Sequence, residues 1–107
     1  MLISTTPTLP GYQITKVIDI ARGSTVRARH VGRDISAIFK SVIGGEIKVY
    51  TQLMADAREH AIERMIADAE ELDADAIVNV RFMTSTVLQG ASEILAYGTA
   101  VKIKKES

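Results

Sequence analysis

The sequence predicts an α+β fold, in which a small, mostly antiparallel sheet packs on one long amphipathic helix and a second, short helix. Three patterns support this prediction: polarity alternates from Tyr12 to Ile20, apolar residues recur at helical spacing from Ile47 to Leu72, and two more alternating segments cover 76–86 and 93–103. The chain has 107 residues, which fits one domain, so we treat 1–107 as a single unit.

The first part of the chain is expected to be extended. Residues 2–5 can form a short strand, and Pro7 and Pro10 predict a turn before the next strand. We expect Gly23 to interrupt that strand as a bulge or bend, and the continuation to place Val26 inward. Alternation places five residues on one face of this strand: Tyr12, Ile14, Lys16, Ile18 and Ile20.

Two helices are expected in the middle of the chain. Apolar spacing predicts a short helix over 34–43, with Asp34 as N-cap and Gly44-Gly45 as the stop. The amphipathic helix that follows should have roughly 23–28 residues and a length of about 35–42 Å. A compact domain of this size has a radius of gyration of about 13 Å. The helix would then match or exceed the diameter of the domain, which favours contacts between copies.

The last two segments are expected to form an antiparallel hairpin across Gln89-Gly90. Alternation predicts that Val78, Val80 and Phe82 share one face of the first strand. In the second strand we expect Gly98 to allow close packing because it has no side chain. Residues expected on the opposite face of that strand are Leu95, Tyr97, Val101 and Ile103.

Composition excludes several classes of protein. Thirteen basic and thirteen acidic residues give a formal net charge of zero, which argues against a whole-surface binder of nucleic acid or membrane. The absence of Cys excludes a disulfide scaffold, a thiolate metal site and a cysteine nucleophile. Aromatic residues are only 5%, too few for a base-stacking platform. No segment resembles a targeting signal or a membrane span of about 20 apolar residues. We therefore expect a cytoplasmic protein.

The neutral total conceals an uneven distribution of charge. Residues 1–45 contain six basic and two acidic residues, 46–76 contain three and nine, and 77–107 contain four and two. Such asymmetry can guide self-association, because the basic region of one copy can face the acidic region of another. The alternative is that the acidic residues cover the solvent face of the long helix.

His60 is the centre of the candidate metal site. Asp56 precedes it by four residues and Glu63 follows it by three, so the three side chains lie on neighbouring positions of one helix side. Carboxylates and imidazole can bind a divalent ion such as zinc or nickel. A stable site needs more ligands, which several copies, or His30, could supply. The alternative is an ordinary solvated helix face.

Two further features could bind an anion. The segment 27–33 contains three arginines and His30, which could contact a phosphate or another acidic group. Gly44-Gly45-Glu46 could form a phosphate-binding turn, but it lacks the Lys-Ser/Thr of a P-loop, and a turn between helices is the preferred explanation. No Ser-His-acid arrangement or close carboxylate pair is recognisable. The sequence therefore favours a role without catalysis and predicts no cofactor beyond a possible divalent metal.

Taken in order along nearly the whole chain, several short segments resemble the YbjQ family. That family contains small bacterial and archaeal proteins with a heavy-metal-binding label and no established activity. The resemblance implies an α+β fold and a homopentameric ring. The segments that carry it are Ser4-Thr5-Thr6, Gly32-Arg33-Asp34-Ile35, Val42-Ile43-Gly44-Gly45-Glu46, Tyr50, Ala57-Arg58, Ala61, Glu63-Arg64-Met65, Ala74-Asp75-Ala76-Ile77-Val78 and Ala96-Tyr97-Gly98-Thr99-Ala100-Val101.

One residue departs from the family pattern. Asp73 stands after the long helix, where the family commonly has Gly. That Gly would suit a left-handed helix C-cap, and Asp tolerates this conformation better than most residues. We therefore predict a left-handed turn at Asp73 and a stabilising effect of Asp73→Gly.

Three functional hypotheses remain at this point. The first is a structural or binding ring, with a pentamer as the state that the resemblance implies. The second is a metal-binding protein that uses His60, His30, Asp56 and Glu63 across subunit interfaces. The third is an enzyme or small-molecule binder with a site between subunits, for which the basic 27–33 segment is the main indication.

Overall fold

A computed structural model describes residues 1–27, 45–88 and 91–107. Over those residues the sheet order is β1-β3-β4-β2, with β1 parallel to β3 and the other pairs antiparallel. This arrangement confirms the predicted α+β fold with a mostly antiparallel sheet. The short helix expected over 34–43 lies outside the described residues. The elements are β1 (Leu2–Ile3), β2 (Tyr12–Arg27), α1 (Gly45–Glu71), β3 (Ala76–Leu88) and β4 (Ala91–Lys105).

Helix α1 has 27 residues, within the predicted range. Its buried residues recur at steps of four and are Ala57, Ala61, Met65 and Ala69. Three of the four are alanine, so the helix can approach the sheet closely. The helix packs mainly on β2, less on β4 and least on β3.

The closest approach between helix and sheet occurs at Gly23. A Cβ atom there would lie 2.2 Å from the backbone N of Met65 and 2.5 Å from the carbonyl O of Ala61. Gly23 itself pairs regularly with Ala96 in the β2–β4 ladder. The prediction of a bulge or bend at Gly23 is therefore wrong: glycine is needed because the helix backbone occupies the space of a side chain.

The irregularities of β2 lie earlier in the strand. The register against β4 shifts between Ile14 and Lys16 and again between Val17 and Asp19. Beyond these bulges Thr25 is buried, its hydroxyl donating to the carbonyl O of Ala57, whereas Val26 is 53% exposed. The prediction that Val26 points inward is wrong. The two shifts cancel, so Val26 shares a face with Ile14 and Ile20, and that face lies away from the helix.

Strand β3 contains a similar shift. The register against β4 breaks between Val78 and Arg81, and Asn79 has a left-handed φ of 55°. Val78 therefore lies on the face away from the helix, while Val80 joins the core beneath the helix. The prediction that these two valines share a face is wrong. Asn is one of the few non-glycine residues that adopt this conformation readily.

Apolar residues pack on both faces of the sheet. The larger cluster lies between α1 and the sheet and includes Ile77, Ile94 and Ala100. A smaller cluster on the other face contains Ala76, Val78 and Val101, with partly buried Leu9, Ile14 and Ile103 packed against it. Close packing at Gly98 is confirmed, because a Cβ atom there would lie 2.7 Å from the Cγ2 atom of Ile77.

The protein is more elongated than expected for its length. Its radius of gyration is 17.4 Å and its principal extents are 59 × 24 × 17 Å. The expectation of about 13 Å assumed a compact domain. Because strands of 16, 13 and 15 residues run beside the helix, the helix does not exceed the sheet in length. The argument from an overlong helix is therefore wrong.

The turn after α1 confirms the prediction made at Asp73. Its φ is 59°, in the left-handed region. The Asp73 N–H donates to the carbonyl O of Glu70 (3.0 Å), and the Ala74 N–H donates to that of Ala69 (3.0 Å). These two bonds define a Schellman motif with Asp73 at the left-handed position. Lys102 extends across the turn to the carboxylates of Asp73 (3.3 Å) and Asp75 (3.6 Å).

Candidate functional site

The residues proposed for a metal site lie on the exposed surface of α1. Asp56, His60 and Glu63 are all solvent-exposed, and an Asp56 oxygen accepts a hydrogen bond from the side chain of Gln52 (3.0 Å). Within the described part of the chain, no group of three or more His, Asp or Glu side chains is arranged to hold a metal ion. His30 lies outside that part. One copy therefore does not assemble the predicted ligands.

The two candidate anion sites fall almost entirely outside the described residues. Of the basic segment 27–33, the structure describes only the backbone of Arg27, at the end of β2. Of the Gly44-Gly45-Glu46 turn, it places Gly45 and Glu46 within α1, at its first two positions. The start of the helix agrees with the prediction, and the phosphate-binding hypothesis stays a prediction.

A shallow groove lies at the end of the sheet where both chain termini run. Its volume is about 430 Å³, and it lies between the turn 8–12 and Glu106. The backbone closes this region, because the Glu106 N–H donates to the carbonyl O of Gly11 (2.9 Å) and the Tyr12 N–H to that of Leu9 (3.0 Å). Its lining offers one carboxylate and one phenol, which do not define a catalytic arrangement.

The most distinctive surface is the sheet face that points away from α1. Four large apolar side chains are exposed on it: Val17 (64%), Ile20 (55%), Val26 (53%) and Met83 (52%). Cross-strand partners place them on this face, since Val17 pairs with Val101, Ile20 with Thr99, Val26 with Glu93 and Met83 with Leu95. We call these four residues the outer apolar patch. Half-buried Leu95 and Tyr97 of β4 lie between its two sides.

Sequence reasoning did not predict this patch, because alternation does not tell which face of the sheet the helix covers. Ile20 and Val26 share the face of Ile14, as alternation predicts, and Val17 joins them because it lies between the two register shifts. The sequence did contain one signal for such a surface, since β2 has more apolar residues than one helix can cover.

The free edge of β2 is capped by side chains. The Ile20 N–H donates to the Asp19 carboxylate (2.7 Å), and the Arg22 N–H donates to the carboxylate of Asp68 on α1 (3.0 Å). The carbonyl O of Ser24 accepts from the guanidinium of Arg64, one helical turn before Asp68. Two N–H groups and one carbonyl that point away from β4 over 20–24 therefore have side-chain partners within the chain.

Together, these features define a small α+β protein in which the described residues leave an apolar sheet face uncovered and do not assemble a metal centre within one chain. Within the same residues, no helix has the length and apolarity required to cross a membrane. The family model of the YbjQ proteins, described as "Putative heavy-metal-binding", matches residues 1–104. The chain belongs to this family.

Close relatives support the assignment. A UPF0145 protein of Thermosipho africanus is 55% identical over 107 residues, covering 100% of this chain and 99% of the relative. A UPF0145 protein of Methanosarcina acetivorans is 58% identical over 103 residues, covering 96% and 97%. Their names assign no activity.

A solved structure confirms the fold. A protein of unknown function from Pediococcus pentosaceus, assigned to the DUF74 family, matches with a TM-score of 0.64 over 97% of this chain and 98% of that one. Sequence identity is 18%, so this likeness concerns the fold alone.

Proposed function

We propose that this protein is the subunit of a closed homo-oligomeric ring in the cytoplasm, with a structural or binding role and no catalytic centre of its own. Five copies is the number that the family resemblance implies. The observation that carries the proposal is the outer apolar patch. Soluble monomers rarely expose large contiguous apolar surfaces, and such surfaces commonly mark interfaces.

A second copy of this chain is the occupant that the surroundings of the patch favour. One end of the same sheet face is packed as a core, where Leu9 and Ile14 pack against Val101. The patch continues that core with residues of the same type, Val, Ile and Met. Interfaces between permanently associated subunits resemble a domain core that has been divided in two. The patch also lies on long paired strands, which present it without a cost for ordering a loop.

The proposal is tested by the mass of the purified protein in solution. Ile20→Glu and Val26→Glu each place a charge in the patch, and light scattering coupled to size exclusion should show a smaller assembly for both. Gln13→Glu is the matched control, since it introduces the same side chain at an exposed position of the same strand, opposite Lys104 and away from the patch. A wild-type mass equal to one chain at micromolar concentration would refute self-association. An unchanged mass in both patch variants would exclude the patch as its basis.

Metal binding between subunits is the second candidate function. The family description favours it, and the exposed Asp56, His60 and Glu63 give a partial ligand set that several copies, or His30, could complete. The assembled protein should then retain zinc, nickel or copper after dialysis, as measured by elemental analysis. His60→Ala should release the metal, and Glu59→Gln, a nearby exposed position outside the set, should not. Equal metal content in wild type and His60→Ala would exclude this site.

A further inference from the structure

The two edges of the sheet differ in how their backbone groups are satisfied. On the β2 edge, the N–H groups of Ile20 and Arg22 and the carbonyl O of Ser24 are bonded to side chains of this chain. On the other edge, β1 covers only the start of β3: the Val80 N–H donates to the carbonyl O of Ser4 (2.9 Å), and β1 itself ends at Ile3. Beyond Val80, β3 continues to Leu88.

The ladder alternation shows which groups of β3 point outward. Arg22 and Ser24 point away from β4, so their partners Tyr97 and Leu95 must bond to β3 instead. The β3 residues that pair with them are Arg81 and Met83, and Ser85 continues this series. The backbone N–H and C=O groups of the alternate residues therefore face outward, and these residues are Phe82, Thr84 and Thr86. No described residue bonds to them across this edge.

The segment 82–86, Phe-Met-Thr-Ser-Thr, also lacks the features that normally prevent strand addition. It contains no charge and no proline, and its residues are mostly aromatic or β-branched. Phe82 is 46% exposed, because α1 lies over β2 rather than β3. The guanidinium of the neighbouring Arg81 is held beside Thr5 and Val80, before the segment begins, since it donates to the carbonyl O of Thr5 (2.9 Å) and of Val80 (2.9 Å).

We propose that the outer edge of β3 is a strand-addition site for the same edge of a second copy. The two segments 82–86 would pair antiparallel about a two-fold axis, with Thr84 opposite Thr84 of the other copy. Phe82 would then lie opposite Thr86, an aromatic and β-branched pair that stabilises adjacent strands. About six backbone hydrogen bonds would form between the three outward-facing residues of each copy.

Self-pairing is favoured over other occupants by the pattern of the segment. Its three outward residues are symmetric about Thr84, so two copies present donors and acceptors in matching register. Pairing with the β2 edge of another copy would require displacement of Asp68 and Arg64 from Arg22 and Ser24. A two-fold contact closes after two copies and differs from the ring contact, so it would join one ring subunit to a subunit of a second ring.

Substitutions at Thr84 test this contact because its side chain is exposed and its N–H points outward. Thr84→Pro removes that N–H, a change that edge strands tolerate at outward positions. Thr84→Val keeps the N–H and is the matched control. Thr84→Lys and Thr84→Glu would each place like charges opposite one another across the two-fold axis, whereas an equal mixture of the two would place opposite charges there.

The readout is the mass of each assembly at equal protein concentration, with circular dichroism as the check on folding. The proposal predicts half the wild-type mass for the Pro, Lys and Glu variants, the wild-type mass for Thr84→Val, and its recovery in the Lys and Glu mixture. A mixture of the Lys and Glu variants that does not regain the wild-type mass would overturn two-fold pairing. Wild-type mass in all variants would overturn the edge contact and leave the ring proposal standing. If the wild-type protein has the mass of two chains and these variants have the mass of one, the edge contact is supported and the ring is overturned. A wild-type mass of one chain would overturn both proposals.

Discussion

Replacement of Asp73 by glycine should stabilise the protein. Asp73 holds a φ of 59° after α1, where the Schellman motif requires a left-handed residue. For a non-glycine residue this conformation costs roughly 1–2 kcal/mol, and Asp lies at the low end because it tolerates the region better than most residues. Glycine removes this strain without changing the two hydrogen bonds that end the helix.

Two effects reduce the gain. Glycine loses more backbone freedom on folding than other residues, which offsets about 0.5 kcal/mol or slightly more of the benefit. The ion pair with Lys102 is also lost, but the Asp73 side chain is 96% exposed and such pairs contribute little. Lys102 keeps Asp75 as a partner at 3.6 Å. The net expectation is a gain of about 0.5 kcal/mol, or roughly 2–4 °C in melting temperature for a domain of this size.

Thermal unfolding followed by circular dichroism measures this effect, with every variant at the same protein concentration because self-association shifts apparent stability. Asp73→Asn is the control for charge, since Asn tolerates the left-handed region and removes only the ion pair. Asp73→Ala should melt below wild type, because Ala has the strain of a side chain without that tolerance. A melting temperature of Asp73→Gly at or below that of Asp73→Asn would refute the reasoning, as would an Ala variant as stable as wild type.

Three further predictions concern the sheet. Gly23→Ala should lose more than about 3 kcal/mol of stability or fail to fold, because its Cβ would overlap the helix backbone, whereas Gly11→Ala has open space around it and should lose about 1 kcal/mol from its strained φ. Equal losses of the two variants in denaturant unfolding would contradict the close approach of α1 at Gly23. Because φ at Asn79 is 55°, Asn79→Gly should be neutral or slightly stabilising and Asn79→Val should destabilise the protein by about 1–2 kcal/mol. Equal melting temperatures of the two variants would exclude the left-handed bulge. Asp68→Ala should destabilise the protein by about 0.5–1.5 kcal/mol, and Asp68→Asn by less because its amide oxygen can still accept from the Arg22 N–H. Identical denaturation midpoints for wild type and both variants would show that this hydrogen bond contributes nothing to stability.

Local periodicity predicted the elements of the fold well. The helix from Gly45 to Glu71 and the hairpin of β3 and β4 follow from spacings of three to four and of two, and these patterns lie within single segments. The left-handed turn at Asp73 was predictable because helix ends have a recurring backbone geometry. Each of these features depends on residues that are close in the sequence.

Features that depend on contacts between distant segments were not predicted. Alternation grouped Val78 with Val80 because the bulge at Asn79, which has no reliable sequence signal, reverses the pattern between them. Val26 was assigned inward because alternation does not tell which face of the sheet the helix covers. Gly23 was read as a break, although its role depends on helix residues some forty positions later. The exposed Asp56, His60 and Glu63 were placed correctly on one helix side, but their spacing carried no information about further ligands from other segments.

The position of the helix links the core to both proposed interfaces. Gly23 and the alanines of α1 allow close packing, and this contact holds the helix over β2 at one edge of the sheet. From there Arg64 and Asp68 reach the outward backbone groups of β2 and close that edge. Among the described residues, the same placement leaves Phe82 and the outer edge of β3 uncovered, and a single helix cannot also cover the opposite face of the sheet. The proposal of self-association therefore depends on where the helix packs rather than on how long it is, and both proposed interfaces lie on parts of the sheet that α1 does not reach.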